Sequence, residues 1–72
     1  MIVATVIIKP KGAKVTLHEH KYDAFLRAEK NEFEVVVPLF PFNRVYGKSI
    51  DNAKANFKLQ VETAKDVEVV WG

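Results

Sequence analysis

Residues 2–8 are apolar at every position except Thr5. Ile2, Val3, Thr5, Val6, Ile7 and Ile8 are β-branched, which suits a pleated, buried strand. Ile2, Ala4, Val6 and Ile8 alternate with Val3 and Ile7, so both faces of this strand are apolar. Such a strand needs cover on both sides or an interior place in a sheet. Lys9-Pro10-Lys11-Gly12 follows, with proline and glycine placed for a type I turn. Ala13, Val15 and Leu17 then alternate with Lys14, Thr16 and His18, predicting another strand. After it the phase slips, because Tyr22, Ala24, Leu26 and Ala28 are apolar on even numbers. Side chains alternate strictly along a strand, so a bulge, bend or break over residues 18–21 must absorb the change.

Lys30-Asn31-Glu32 is the next turn, and Phe33, Val35 and Val37 then mark a strand alternating with Glu34 and Val36. Pro38 and Pro41 end it by removing backbone donors. Residues 44–46 suit a short strand, Gly47 a turn with positive φ, and Ser49 a helix N-cap. Ile50, Ala53, Phe57, Val61 and Ala64 recur at helical spacing. Asp51 lies in the first turn of that helix and Lys65 near its end, both favourable to the helix dipole. A last strand begins at Asp66, with Val67, Val69 and Trp71 facing inward. The expectation is an α+β fold: an antiparallel sheet of about four to six strands with one helix packed on one face. Its core should hold Val15, Leu17, Tyr22, Leu26, Phe33, Val35 and Val37, and from the second half Ala53, Phe57, Val61, Val67, Val69 and Trp71.

The chain has 72 residues, enough for one small domain over residues 1–72. Nearly half is apolar, 49% against 28% charged, so it should fold rather than stay disordered. A domain of this size buries only about 60% of the surface its unfolded chain exposes. With no cysteine to form a disulfide, extra burial against a partner or second copy is expected. The net charge of +2 is weak for a nucleic-acid binder. It is uneven, however: residues 1–31 carry six cations and three anions, and residues 32–72 five and six. The apolar run at 2–8 is far shorter than the roughly 20 residues needed to span a membrane. It also lacks the charged leader and cleavage site of a signal peptide, so a cytoplasmic protein with no membrane partner is expected.

Over residues 21–64 the chain resembles the HicB-like antitoxin family. Lys21, Tyr22, Ala24 and Leu26 suit the family's opening strand, and Phe33, Val35 and Val37 its second. Pro38, Pro41, Gly47, Ser49, Ala53 and Asn56 then fall at the family's positions without a gap. Leu39 and Phe42 stand where the family has Asp and Gly, and Asp51-Asn52 where an acidic pair is usual. Residues 1–20 form an extension outside the match, and the family's C-terminal DNA-binding segment is not expected after residue 72. The resemblance implies a partial ribonuclease-H-like domain without its catalytic carboxylates. It implies docking on a small basic ribonuclease toxin and masking of that toxin's active site.

No catalytic, metal or cofactor site is expected. His18 and His20 share a strand face with Glu19 opposite, but no third metal ligand is close in sequence. Ser49, the only serine, is better used as a cap. Asp23, Glu34, Asp51, Glu62, Asp66 and Glu68 are scattered over expected solvent faces, with Glu32 and Glu34 the most exposed strand positions. Leu39, Phe40, Phe42 and Tyr46 are unusual for a loop. They either cap the end of the sheet or form a patch for a partner, with Arg44 and Asp51 as charged contacts. The expected function is a stand-alone protein–protein interaction module that inhibits a small ribonuclease. Two alternatives are a nucleic-acid-binding domain using the basic N-terminal segment, and a homo-oligomeric, virus-encoded accessory protein of the same fold. In every case a dimer or higher oligomer is expected.

Overall fold

The computed structural model describes residues 2–10 and 20–72. The expected strand at 13–17, the phase slip, the core positions Val15 and Leu17, and the His18-Glu19-His20 side chains lie outside the described residues. The elements are β1 (Ile2–Pro10), β2 (His20–Glu29), β3 (Glu32–Val36), β4 (Val45–Gly47), α1 (Ile50–Ala64) and β5 (Val67–Trp71). The described strands form one sheet in the order β4-β3-β2-β1-β5, with every neighbouring pair antiparallel. The helix packs on one face against β3, β4 and β5, giving the expected α+β class.

The doubly apolar first strand occupies an interior position. β1 pairs with β2 through Val6 opposite Tyr22, and with β5 through Val6 opposite Trp71. Val6 and Ile8 are buried beneath the helix, while Thr5 and Ile7 face the other way and are half-buried. Residues 2–10 of the N-terminal extension are thus built into the sheet, between β2 and β5. β2 and β3 form a hairpin with Glu29 opposite Glu32, and Lys30 in its loop adopts the left-handed region at φ 54°.

Local chemistry starts the helix where the sequence indicates. The Asn52 N–H donates to Ser49 Oγ at 3.1 Å, and the Lys48 N–H donates to Asn52 Oδ1 at 2.9 Å. These reciprocal bonds satisfy donors that the helix cannot. Ser49→Ala is therefore expected to lower stability by about 1 kcal/mol, read from urea unfolding midpoints. At the far end the Lys65 N–H donates to the Val61 carbonyl at 2.8 Å.

Ala53, Phe57 and Val61 form the buried stripe of α1. Ala64, expected to continue that stripe, is exposed, because the helix ends before its next turn reaches the sheet. Leu26, Val35, Val37 and Val69 are buried as expected, whereas Tyr22, Phe33, Val67 and Trp71 are half-buried around them. Val6, Ile8, Ala24 and Val45 complete the core. The short strand is shifted by one residue from 44–46 to Val45–Gly47. Gly47 does not have the positive φ expected of it. It lets α1 approach β4: a Cβ there would lie 2.5 Å from Ala53 Cα and 2.7 Å from Asn52 C.

Both edge strands are tied to the helix at their middle residue. On β5, Val69 donates its N–H to Glu62 Oε2 at 2.9 Å and accepts from Lys58 Nζ at 2.9 Å. On β4, the Tyr46 carbonyl accepts from Asn56 Nδ2 at 2.9 Å. These side chains occupy backbone groups that an exposed edge would offer to another strand.

Candidate partner-binding site

The segment joining β3 to β4 begins with a tight turn, in which the Phe40 N–H donates to the Val37 carbonyl at 3.1 Å. Pro38 and Leu39 form its outer corner, and the Leu39 side chain is 81% exposed. Phe40 and Phe42 turn inward and are half-buried. Phe40 lies 5.6 Å from Tyr22, 6.2 Å from Phe42 and 6.4 Å from Phe57, measured between ring centroids. Phe42 lies 6.2 Å from Phe57 in an edge-to-face arrangement. The loop is thereby fastened to the core by aromatic packing. It follows that Phe40 and Phe42 help close the core, while Leu39 is presented outward.

A charged cluster lies beside this loop. Strand register places Arg27 opposite Glu34 and Glu34 opposite Tyr46. Arg27 Nη2 is 3.2 Å from Glu34 Oε1, and Arg44 Nε is 3.6 Å from Glu34 Oε2. Arg44 Nη1 also donates to the Tyr46 hydroxyl at 3.4 Å. Glu34, expected to be among the most exposed strand positions, is instead buried, with 4% of its surface accessible. It is covered because two long guanidinium side chains lie over one carboxylate, sheltering it with their stems and compensating its charge. Its Oε1 has the Arg27 ion pair but no hydrogen bond of good geometry. The Tyr46 hydrogen bond, the Tyr46 oxygen, and then the charges of Glu34 and Glu29 raise Arg44 further above the usual arginine range. Arg44 therefore keeps its positive charge at any working pH.

The loop and the cluster enclose an open cleft of about 280 Å³, lined in part by Arg27, Glu34, Pro41, Phe42, Asn43 and Arg44. The candidate residues Phe40, Phe42 and Arg44 thus meet at one cleft, with Leu39 and Tyr46 joined to it through the loop and β4. Asp51 is exposed on the first turn of α1 and does not line it. The other motif residues have structural work. Pro38 and Pro41 shape the loop, Gly47 and Ala53 allow close packing, Ser49 caps the helix and Asn56 ties it to β4. Arg27 and Glu34 were not candidates by pattern, since each occupies a polar position in an ordinary alternation. Their one local signal is the opposite charge that the hairpin register brings together.

No three His, Asp or Glu side chains gather as a cation site among the described residues, and no described helix is long and apolar enough to cross a membrane. No family model matches this chain, and no curated protein or solved structure matches it.

Proposed function

We propose that this protein is a protein–protein interaction module of the HicB-like type, whose contact surface is the β3–β4 loop and whose partner is a small basic ribonuclease that it inhibits. The observation that carries this proposal is Leu39, a large apolar side chain 81% exposed on a loop whose neighbours Phe40 and Phe42 are packed into the core. An apolar residue held out on a braced loop loses little conformational freedom on binding, so more of its burial energy becomes affinity. Arg44, with its side chain 69% exposed, supplies a permanent charge at the same site. Asp51 supplies an acidic contact that suits a basic partner.

The test is inhibition of the small basic ribonuclease encoded beside this chain, using purified proteins at equal concentration. Leu39→Asp should weaken inhibition at least about tenfold, equivalent to roughly 1.4 kcal/mol. Its unfolding midpoint should stay at the parent value, because the side chain is exposed. The proposal fails if no such ribonuclease is encoded there, if the parent leaves it active, or if Leu39→Asp inhibits as well as the parent.

A further inference from the structure

On β2, Ala24 and Leu26 point toward the helix and are buried. The alternate positions Lys21, Asp23, Phe25, Arg27 and Glu29 therefore lie on the opposite, helix-free face. Their order along the strand is positive, negative, aromatic, positive, negative. This pattern is antisymmetric about Phe25: each charge has its opposite at the same distance on the other side. Phe25 is paired with Val36 across the sheet, while Ile7 is paired with Val70 on the same face. Val70 is 37% exposed, and Ile7, Phe25 and Val36 are half-buried. Phe25 and Val36 thus form an apolar pair flanked along β2 by charges of both signs, while Ile7 and Val70 lie level with Lys21 at one end of that pattern. Lys21 and Asp23 are exposed and have no ion-pair partner among the described residues, whereas Arg27 already lies 3.3 Å from Glu29 and 3.2 Å from Glu34, so a second copy would extend those pairs into a network.

We infer that the helix-free sheet face is a self-association surface, covered by a second copy of this chain with its β2 stacked antiparallel over the first. A two-fold axis passing between the two Phe25 side chains, perpendicular to the strands, sets Lys21 over Glu29 and Asp23 over Arg27, each twice. An axis running along the strand would instead set Lys21 on Lys21 and Asp23 on Asp23, so the charges select the antiparallel arrangement. The edges are poorer routes to association, because Lys58, Glu62 and Asn56 occupy backbone groups at the middle of β5 and β4. Phe25 and Val36, set over their own copies, supply apolar burial at the middle of the contact, and the flanking charges fix orientation. This surface borders the cleft beside the Leu39 loop, which Arg27 and Val36 also line, but it does not rest on the partner proposed for that loop.

The experiment is sedimentation velocity on the full chain at micromolar to tens-of-micromolar concentration and low salt. The parent should dimerise, and Lys21→Glu and Glu29→Lys should each weaken dimerisation at least about tenfold by opposing like charges twice. An equimolar mixture of the two variants should restore it. One chain then carries carboxylates at both positions and the other ammonium groups at both, so every contact is complementary. Asp23→Lys, which opposes Arg27 of the second copy, provides an independent disruption should either charge variant fail to fold. Thermal unfolding verifies that the variants tested retain the fold. A monomeric parent across this range would overturn the inference. So would folded variants that associate as the parent does, or a mixture that associates no better than its components.

Discussion

Phe57→Ala is expected to destabilise the protein by about 3–5 kcal/mol, measured as a fall in the urea or thermal unfolding midpoint. Phe57 is 2% exposed on the inward face of α1. Its ring meets Phe40 at 6.4 Å, Phe42 at 6.2 Å and Trp71 at 5.6 Å, so it joins the helix to both the loop and the last strand. Truncation removes its own buried area and also the surface on which Phe40 and Phe42 rest. Trp71 resists moving into the space, because its Nε1–H donates to the Lys54 carbonyl at 3.0 Å. A cavity that cannot collapse gives the larger cost in such substitutions. At roughly 0.05–0.15 kcal/mol per residue, a domain this small has a total stability of similar size. Most of the variant should therefore be unfolded or close to it at 37 °C. Unfolding at the parent midpoint would show that the helix does not pack on this sheet through Phe57.

Gly47→Ala should cost about 1–3 kcal/mol, toward the upper end, through overpacking. The added methyl would lie 2.5 Å from Ala53 Cα and 2.7 Å from Asn52 C. Those are backbone atoms within a helix, so no side-chain rotation can make room. The helix must lift from β4, stretching the bond from Asn56 Nδ2 to the Tyr46 carbonyl. A second substitution identifies this cause. Ala53→Gly removes only a side-chain methyl, so it should not rescue Gly47→Ala in calorimetric unfolding. Rescue, or a Gly47→Ala protein as stable as the parent, would mean that helix and strand are not in this close contact.

The two substitutions also bear on the proposed interaction site. The exposed Leu39 is held by a loop whose anchors rest on Phe57, while Arg44 precedes, and Tyr46 lies within, the short strand that Gly47 brings against the helix. Loss of partner binding in either variant would follow from loss of that support. Leu39→Asp, which changes an exposed side chain, separates recognition from folding.

The sequence by itself determined the features that depend on period and on near neighbours. The helical recurrence of Ala53, Phe57 and Val61 follows from the turn of a helix, and Ser49 caps it through a bond to a residue close in the chain. Phe33, Val35 and Val37, and Val67, Val69 and Trp71, declare strands by alternation, and one helix with several strands implies an α+β sheet. The cluster of aromatics between Pro38 and Tyr46 marks the candidate loop in the same way. Tertiary structure decided which partner each face meets. Residues 2–8 are apolar on both sides, so alternation could not choose their inward face or place them between β2 and β5. Glu34 sits at a polar position, and its burial depends on Arg27 from one strand and Arg44 from a loop converging on it. Gly47 resembles a turn residue until the helix is laid against its strand. Phe40 and Phe42 became anchors and Leu39 the exposed tip only because Phe57 lies beneath the loop. Each of these outcomes is set by contact between segments distant in the chain, which a local pattern of polar and apolar residues does not encode.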